Sequence, residues 1–237
     1  MGDDHSAELL AHARDLERSD IDVAARLDAI GCLLRRVDRV RAGAGRVRVS
    51  LAAIPLEVEH LADAERDAEA REAQARRVVS DAERLLVDVG RSRRAGADGK
   101  ARAERAVRRA EVAAIDAAAT VVRMRERIEA LAANDSALQA EGAGLAVEAR
   151  EVARAIAEIP RLSDSGRTTP RDALDAIEEW GSRAHAALFV VRGGLENERE
   201  RIVLEASTLA AAALGEQLAG SSVALVRKRL EESLSGS

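Results

Sequence analysis

The sequence predicts an all-α protein, a long antiparallel coiled-coil hairpin projecting from a helical bundle head. Composition is the first reason. Of 237 residues 33% are charged, only three are Pro, and Ala and Arg are abundant, the bias of long helices and coiled coils. The second is a mirror in the hydrophobic pattern about the loop 91–99. Downstream, Ala103, Val107, Ala110, Ala114, Ala117, Val121, Met124, Ile128 and Leu131 recur in steps of three and four. Upstream, Leu85, Ala82, Val78, Ala75, Arg71, Ala68, Ala64, Leu61 and Val58 recur likewise, and each pair of residue numbers sums to 188 or 189. Alternating steps of three and four keep one stripe of a helix facing its partner, so this is how the seam of a folded-back helix pair reads. The third is that the interruptions are mirrored too. Gly43 and Gly45 fall opposite Gly142 and Gly144, and Pro55 falls opposite Asn134.

In chain order, residues 6–18 read as a short amphipathic helix with Leu9, Leu10, Ala13 and Leu16 on one side. Ser19 followed by Asp22 is a helix restart resembling a capping box. Val23, Leu27, Ile30, Leu34 and Val37 continue at heptad spacing. They extend the hairpin register, with Val40 meeting Ala149, Val37 meeting Val152, Leu33 meeting Ile156 and Ile30 meeting Ile159. One register then spans about 70 residues per arm, roughly 105 Å at 1.5 Å per residue.

Proline removes a helix hydrogen bond, and Asn-Asp-Ser at 134–136 is an N-cap sequence, so both arms are expected to break or kink at one level. Two readings follow. Gly43, Gly45, Pro55, Asn134, Gly142 and Gly144 form a hinge, or short helices simply meet there. The domains are accordingly 1–55 (head and proximal arm), 56–133 (distal hairpin) and 134–237 (returning arm and C-terminal helices of the head).

After Pro160 a polar stretch is a loop, and Thr169-Pro170-Arg171-Asp172 is a helix start with a cap, Pro at N1 and an acid in the first turn. The helix carries Leu174, Ile177, Trp180 or Gly181, Ala184, Leu188 and Val191, and Gly193-Gly194 is expected to stop it. The next helix, 195–219, is apolar nearly all round from Ala206 to Leu214 and requires cover on several sides. After a break at 220–222 the last helix uses Val223, Val226, Leu230 and Leu234.

Composition also limits function. With Trp180 and Phe189 the only aromatics, the chain offers no stacking platform for bases or a flat cofactor, and no cofactor is expected. Cys32 is alone, which rules out an intrachain disulfide, and its aliphatic setting predicts a small buried residue. The N-terminus lacks a basic and apolar run, and no apolar stretch approaches about 18 residues, so no signal peptide or membrane span is expected and the location reads as cytoplasmic.

Glu57-Val-Glu-His60 is the one Glu-x-x-His motif of a helical-bundle metal site, and His185 follows Ser182 rather than an acid, so no metal site is assigned. No Ser lies in a nucleophile elbow, no phosphate-binding loop follows a strand, and no catalytic residue is assigned.

Charge carries the functional signal. Net charge is −5, which argues against general nucleic-acid binding. The hairpin tip is nonetheless basic, with Arg91, Arg93, Arg94, Lys100, Arg102, Arg105, Arg108 and Arg109 against Asp98 and Glu104. Residues 57–72 are acidic, and pairs such as Asp67–Arg71, Glu72–Arg76 and Glu104–Arg108 are expected along the arms. The expected function is a non-enzymatic interaction or scaffold protein. It self-associates or docks through its head and presents Arg91, Arg93, Arg94, Lys100, Arg102 and Arg105 to an acidic protein surface. A peripheral membrane-remodelling hairpin using the same tip on an anionic bilayer is the alternative. A bundle metal protein or enzyme built on Glu57, His60 and His185 is the third reading.

Overall fold

The computed structural model of the chain describes residues 2–92, 96–160, 162–214 and 222–235, with the side chains of 2–5, 165, 234 and 235 excepted. It is all-α. Helices α1 (Gly2–Arg91), α2 (Ala97–Ala157), α3 (Leu174–Leu214) and α4 (Val223–Ser235) follow one another, with a 3-10 turn, Asp164–Arg167, between α2 and α3. Among the described residues there is no strand, and no helix is long and apolar enough to cross a membrane. The chain divides into two compact units, residues 1–45 with 143–237, and residues 46–142. The division falls at the two glycine pairs, Gly43 and Gly45 on α1 and Gly142 and Gly144 on α2.

Several expected breaks are absent. Helix α1 runs through Ser19 because one buried stripe, Ala13, Leu16, Val23 and Ile30, continues across it, while Asp20 and Asp22 bond Arg199 and Arg26 instead of capping. It also runs through Pro55. Helix α2 runs through Asn134. There the polar side chains bond along the helix, Gln139 donating to Asp135 at 2.7 Å and Ser136 to the Ala132 carbonyl at 3.2 Å, so they satisfy themselves without ending it. Helix α3 crosses Gly193-Gly194, since buried Leu188 and Leu195 on either side anchor one continuous face. It starts at Leu174 rather than at Pro170. Asp172 is drawn to Arg150 at 3.4 Å, and the first helical turn closes from the Ile177 amide to the Ala173 carbonyl at 2.9 Å.

Unit 1 (1–45, 143–237) contains two aliphatic clusters. In the larger, Val23, Ile30, Val37 and Val40 of α1 pack with Ala149, Val152 and Ile156 of α2 and with Ile177, Trp180, Ala184 and Leu188 of α3. In the smaller, Ala13 and Leu16 of α1 pack with Ala206 and Ala210 of α3 and with Val223, Val226 and Leu230 of α4. Helix α4 is further tied by Arg227 to Glu17 (2.5 Å) and Glu231 (2.6 Å), and by Arg14 to Glu231 (3.2 Å). Close approach depends on glycine. A Cβ at Gly43 would lie 2.9 Å from Leu145, and one at Gly181 would lie 2.9 Å from Arg41 Cβ. The run 206–214 is not covered all round, since Ala211 and Ala212 are exposed and one face suffices. Phe189 is exposed and stacks on His185, so Trp180 is the core aromatic of this unit. Cys32 is exposed, because it lies outside the buried face that Ile30 and Leu34 define.

In unit 2 (46–142) two helical segments run antiparallel, as the ion pairs Glu57–Arg127, Glu65–Arg125 and Glu69–Arg125 require. The stripe expected on α2 is present at all nine positions, from buried Ala103, Val107, Ala110 and Val121 to partly buried Leu131. The stripe expected on α1 is half displaced. Val58, Leu61, Ala68, Ala75 and Ala82 lie on it, but Ala64, Arg71, Val78 and Leu85 are exposed, and Glu65, Glu72, Val79 and Leu86 take their places. Two carboxylates in an alanine seam are tolerable because each reaches a guanidinium, Glu65 that of Arg125 and Glu72 that of Arg76.

Candidate functional site

The basic end of unit 2 is formed where α1 finishes and α2 begins. Arg91 closes the last turn of α1 and Asp98 opens the first turn of α2, each with the sign that the helix macrodipole favours. Arg93 and Arg94 lie outside the described residues. Arg91, Lys100, Arg102, Arg105, Arg108 and Arg109 are all exposed. Among the described residues none of the six forms an ion pair with a carboxylate. Arg102 donates to the Asp98 carbonyl at 3.3 Å and Arg105 to the Ala101 carbonyl at 3.2 Å, both within their own helix. The expected Glu104–Arg108 and Asp67–Arg71 pairs do not form, whereas Glu72–Arg76 does.

The acidic stretch behaves differently. Among its described residues Glu57, Asp63, Glu65, Glu69 and Glu72 each reach an arginine. Arg125 donates to Glu65 at 2.7 Å and to Glu69 at 2.5 Å, and these bonds, Glu65 first, raise its pKa above the ordinary value. Five of the seven acids between Glu57 and Glu72 are thus compensated within the unit, and the cations at its end are not. The asymmetry leaves a field that an acidic ligand can enter without first displacing an internal partner.

The remaining candidates separate. Glu57 and His60 are exposed, and Glu57 is held by Arg127 at 3.1 Å. His185 sits 3.7 Å from Asp38 and stacks on Phe189. Among the described residues no three His, Cys, Asp or Glu side chains are grouped to hold a metal ion. Gly43 and Gly45 are packing positions in unit 1, a Cβ at Gly45 coming within 3.2 Å of Glu178, while Gly144 has open space. Pro55 and Asn134 are exposed helical residues, and Gly142 is buried.

One feature was missed. Unit 1 carries a groove of about 1030 Å³ between α1 and α3, floored by Leu27, Val203 and Leu204 and rimmed by Asp20, Asp28, Arg35, Arg192, Glu196 and Arg199. Much of its rim is internally paired, Arg199 with Asp20 at 2.8 Å and Arg192 with Glu196 at 2.9 Å. The Asp20 bond raises the Arg199 pKa. The Ser207 hydroxyl in its lining donates to the Val203 carbonyl at 2.9 Å, so it is engaged within its own helix. The groove's sequence signal was the apolar run around Leu204, which is 68% exposed. Comparison of the chain with family models, curated proteins and solved structures returns no match.

Proposed function

We propose that the protein is a non-enzymatic, cytoplasmic interaction or scaffold protein whose contact surface is the cationic end of unit 2 and whose partner is an acidic protein surface. One observation supports this reading above the others. Arg91, Lys100, Arg102 and Arg109 stand exposed without a carboxylate among the described residues, while five of the seven acids between Glu57 and Glu72 are paired. Unit 1 holds the larger packed core, and the end of unit 2 supplies charge. The two aromatics of the chain, Trp180 and Phe189, lie in unit 1, so the cationic end of unit 2 offers no base-stacking platform, which favours a protein over a single-stranded nucleic acid.

The test is binding of a labelled oligo-glutamate peptide to the full chain at two salt concentrations. Binding should weaken with salt, as screened charges do, and the triple reversal Arg91→Glu, Lys100→Glu and Arg102→Glu should weaken it about tenfold or more. A wild-type chain that ignores the peptide, or a variant that binds it unchanged, overturns the reading. Flotation with phosphatidylserine vesicles in place of peptide binding transfers the surface to the membrane alternative.

A further inference from the structure

A second face of α2 is unused within the chain. Arg105, Arg108, Val112, Ile115, Ala119, Val122, Glu126 and Glu129 follow one another in steps of three and four, so they form one straight stripe along the helix. This stripe is not the one that packs against α1, which runs through Val107, Ala110, Ala114, Val121 and Ile128. Every residue of the second stripe is exposed. Its three large members are open to solvent, Val112 at 58%, Ile115 at 67% and Val122 at 51%. Single exposed aliphatics are ordinary on a protein surface, but a run at heptad spacing on a helix already packed by another face is a second seam.

The order of chemistry along the stripe identifies what covers it. It is cationic at one end, apolar in the middle and anionic at the other. A second copy laid antiparallel, with its two-fold axis at the level of Ala117, brings Arg105 to Glu129, Arg108 to Glu126, Val112 to Val122 and Ile115 to Ala119. Each of these pairs then occurs twice. Every apolar position meets an apolar position, and every charge meets its opposite. A parallel copy would instead set Arg108 against Arg108 and Glu126 against Glu126. None of Arg105, Arg108, Glu126 and Glu129 has an ion-pair partner among the described residues, so the copy displaces nothing. The steps alternate as a and d positions do, and antiparallel pairing of such a stripe matches a to d, as these pairs require. At the rim Arg109 approaches Arg123, and Asp116 approaches the same residue of the second copy, like-charge contacts that water screens.

We propose that this outer face of α2, residues 105–129, is the interface of an antiparallel homodimer with two-fold symmetry. The stripe is self-complementary, which is what an isologous contact demands. The inference goes beyond the acidic-partner reading and shares only Arg105 with the six cations that reading uses. Arg91, Lys100 and Arg102 stay free at the end of the unit.

Sedimentation velocity of the full chain over a concentration series, with circular dichroism as the folding check, decides it. Wild type should dimerise. Ile115→Glu should raise the dimer dissociation constant about tenfold or more, since it places two carboxylates in the apolar centre. Arg108→Glu and Glu126→Arg should each weaken the dimer, and an equimolar mixture of these two variants should restore it, because the antiparallel pairing then matches opposite charges at both sites. Val78→Glu, on an exposed position of α1 outside the stripe, should leave dimerisation unchanged. A wild-type chain monomeric at all concentrations overturns the proposal. So does a dimer indifferent to Ile115→Glu, or a mixture no stronger than its components. The triple variant at Arg91, Lys100 and Arg102 should still dimerise, so loss of acidic-peptide binding and loss of self-association are read separately.

Discussion

The same two helices, α1 and α2, bury different chemistry in the two units. In unit 1 their segments meet through Val37, Val40, Val152 and Ile156, and α3 adds Ile177, Trp180 and Leu188 as a third wall. In unit 2 the buried hydrophobic side chains among the described residues are Val47, Ile54, Ala68, Ala103, Val107, Ala110 and Val121, three of them alanines, with Glu65 and Glu72 also on the seam. Each buried CH₂-sized group contributes about 0.8 kcal/mol, so an alanine seam yields far less than a valine and isoleucine core. The lesson is a division of labour, with stability concentrated in unit 1 and exposed, uncompensated groups concentrated in unit 2. Unit 2 is expected to unfold first. Trp180, the single tryptophan, reports unit 1 alone, so its fluorescence transition should follow the first loss of helical circular dichroism.

Substitutions sharpen this contrast. The largest effect is expected from Trp180→Ala, which opens a cavity among fully buried side chains and should cost about 3–5 kcal/mol in the later transition while leaving the earlier one in place. A shift of the earlier transition instead would merge the two units into one cooperative block. Pro55→Ala should raise the earlier transition by about 3 kcal/mol, since it restores a backbone donor inside an unbroken helix. Absence of any gain would mean that the helix is interrupted at this position. The seam position is tested by adjacent valines. Val79→Gln should destabilise unit 2 by about 1 kcal/mol, and Val78→Gln should stay within about 0.5 kcal/mol. The reverse order would return the seam to Val78 and Leu85.

The smallest effect concerns acid. Hydrogen bonds from Arg227 and then Arg14 hold the Glu231 carboxyl below its ordinary pKa. A depressed folded-state pKa adds stability that is complete above the unfolded value and fades as pH falls through the folded one. Amide exchange in α4 should therefore be unchanged at neutral pH and should quicken only below the ordinary carboxylate range. Quickening near neutrality would remove Glu231 as the cause.

The all-α fold, the nine seam positions on α2 and the heptad core of α1 from Val23 to Val37 were legible because aliphatic spacing is strict there. The α1 seam beyond Leu61 was ambiguous for a physical reason. Val78-Val79 and Leu85-Leu86 are doublets, and favouring Ala64 over Glu65 presumes that a carboxylate cannot sit on a seam. Arg125, far away in sequence, makes it acceptable. Local break signals at Ser19, Asn134 and Gly193 were overridden by packing or by side chains bonding along the helix, neither of which is local in sequence. The charge of Arg91–Arg109 was legible, but its lack of partners was not. The groove between α1 and α3 depends wholly on tertiary placement.

Hydrogen exchange of the full chain, with and without the oligo-glutamate peptide, tests most directly whether unit 2 carries the contact surface. The peptide should slow exchange in segments spanning 85–109 and leave the groove walls, 20–35 and 192–207, unchanged. Slowing at the groove walls with 85–109 unaffected would contradict it, and would place the contact in unit 1.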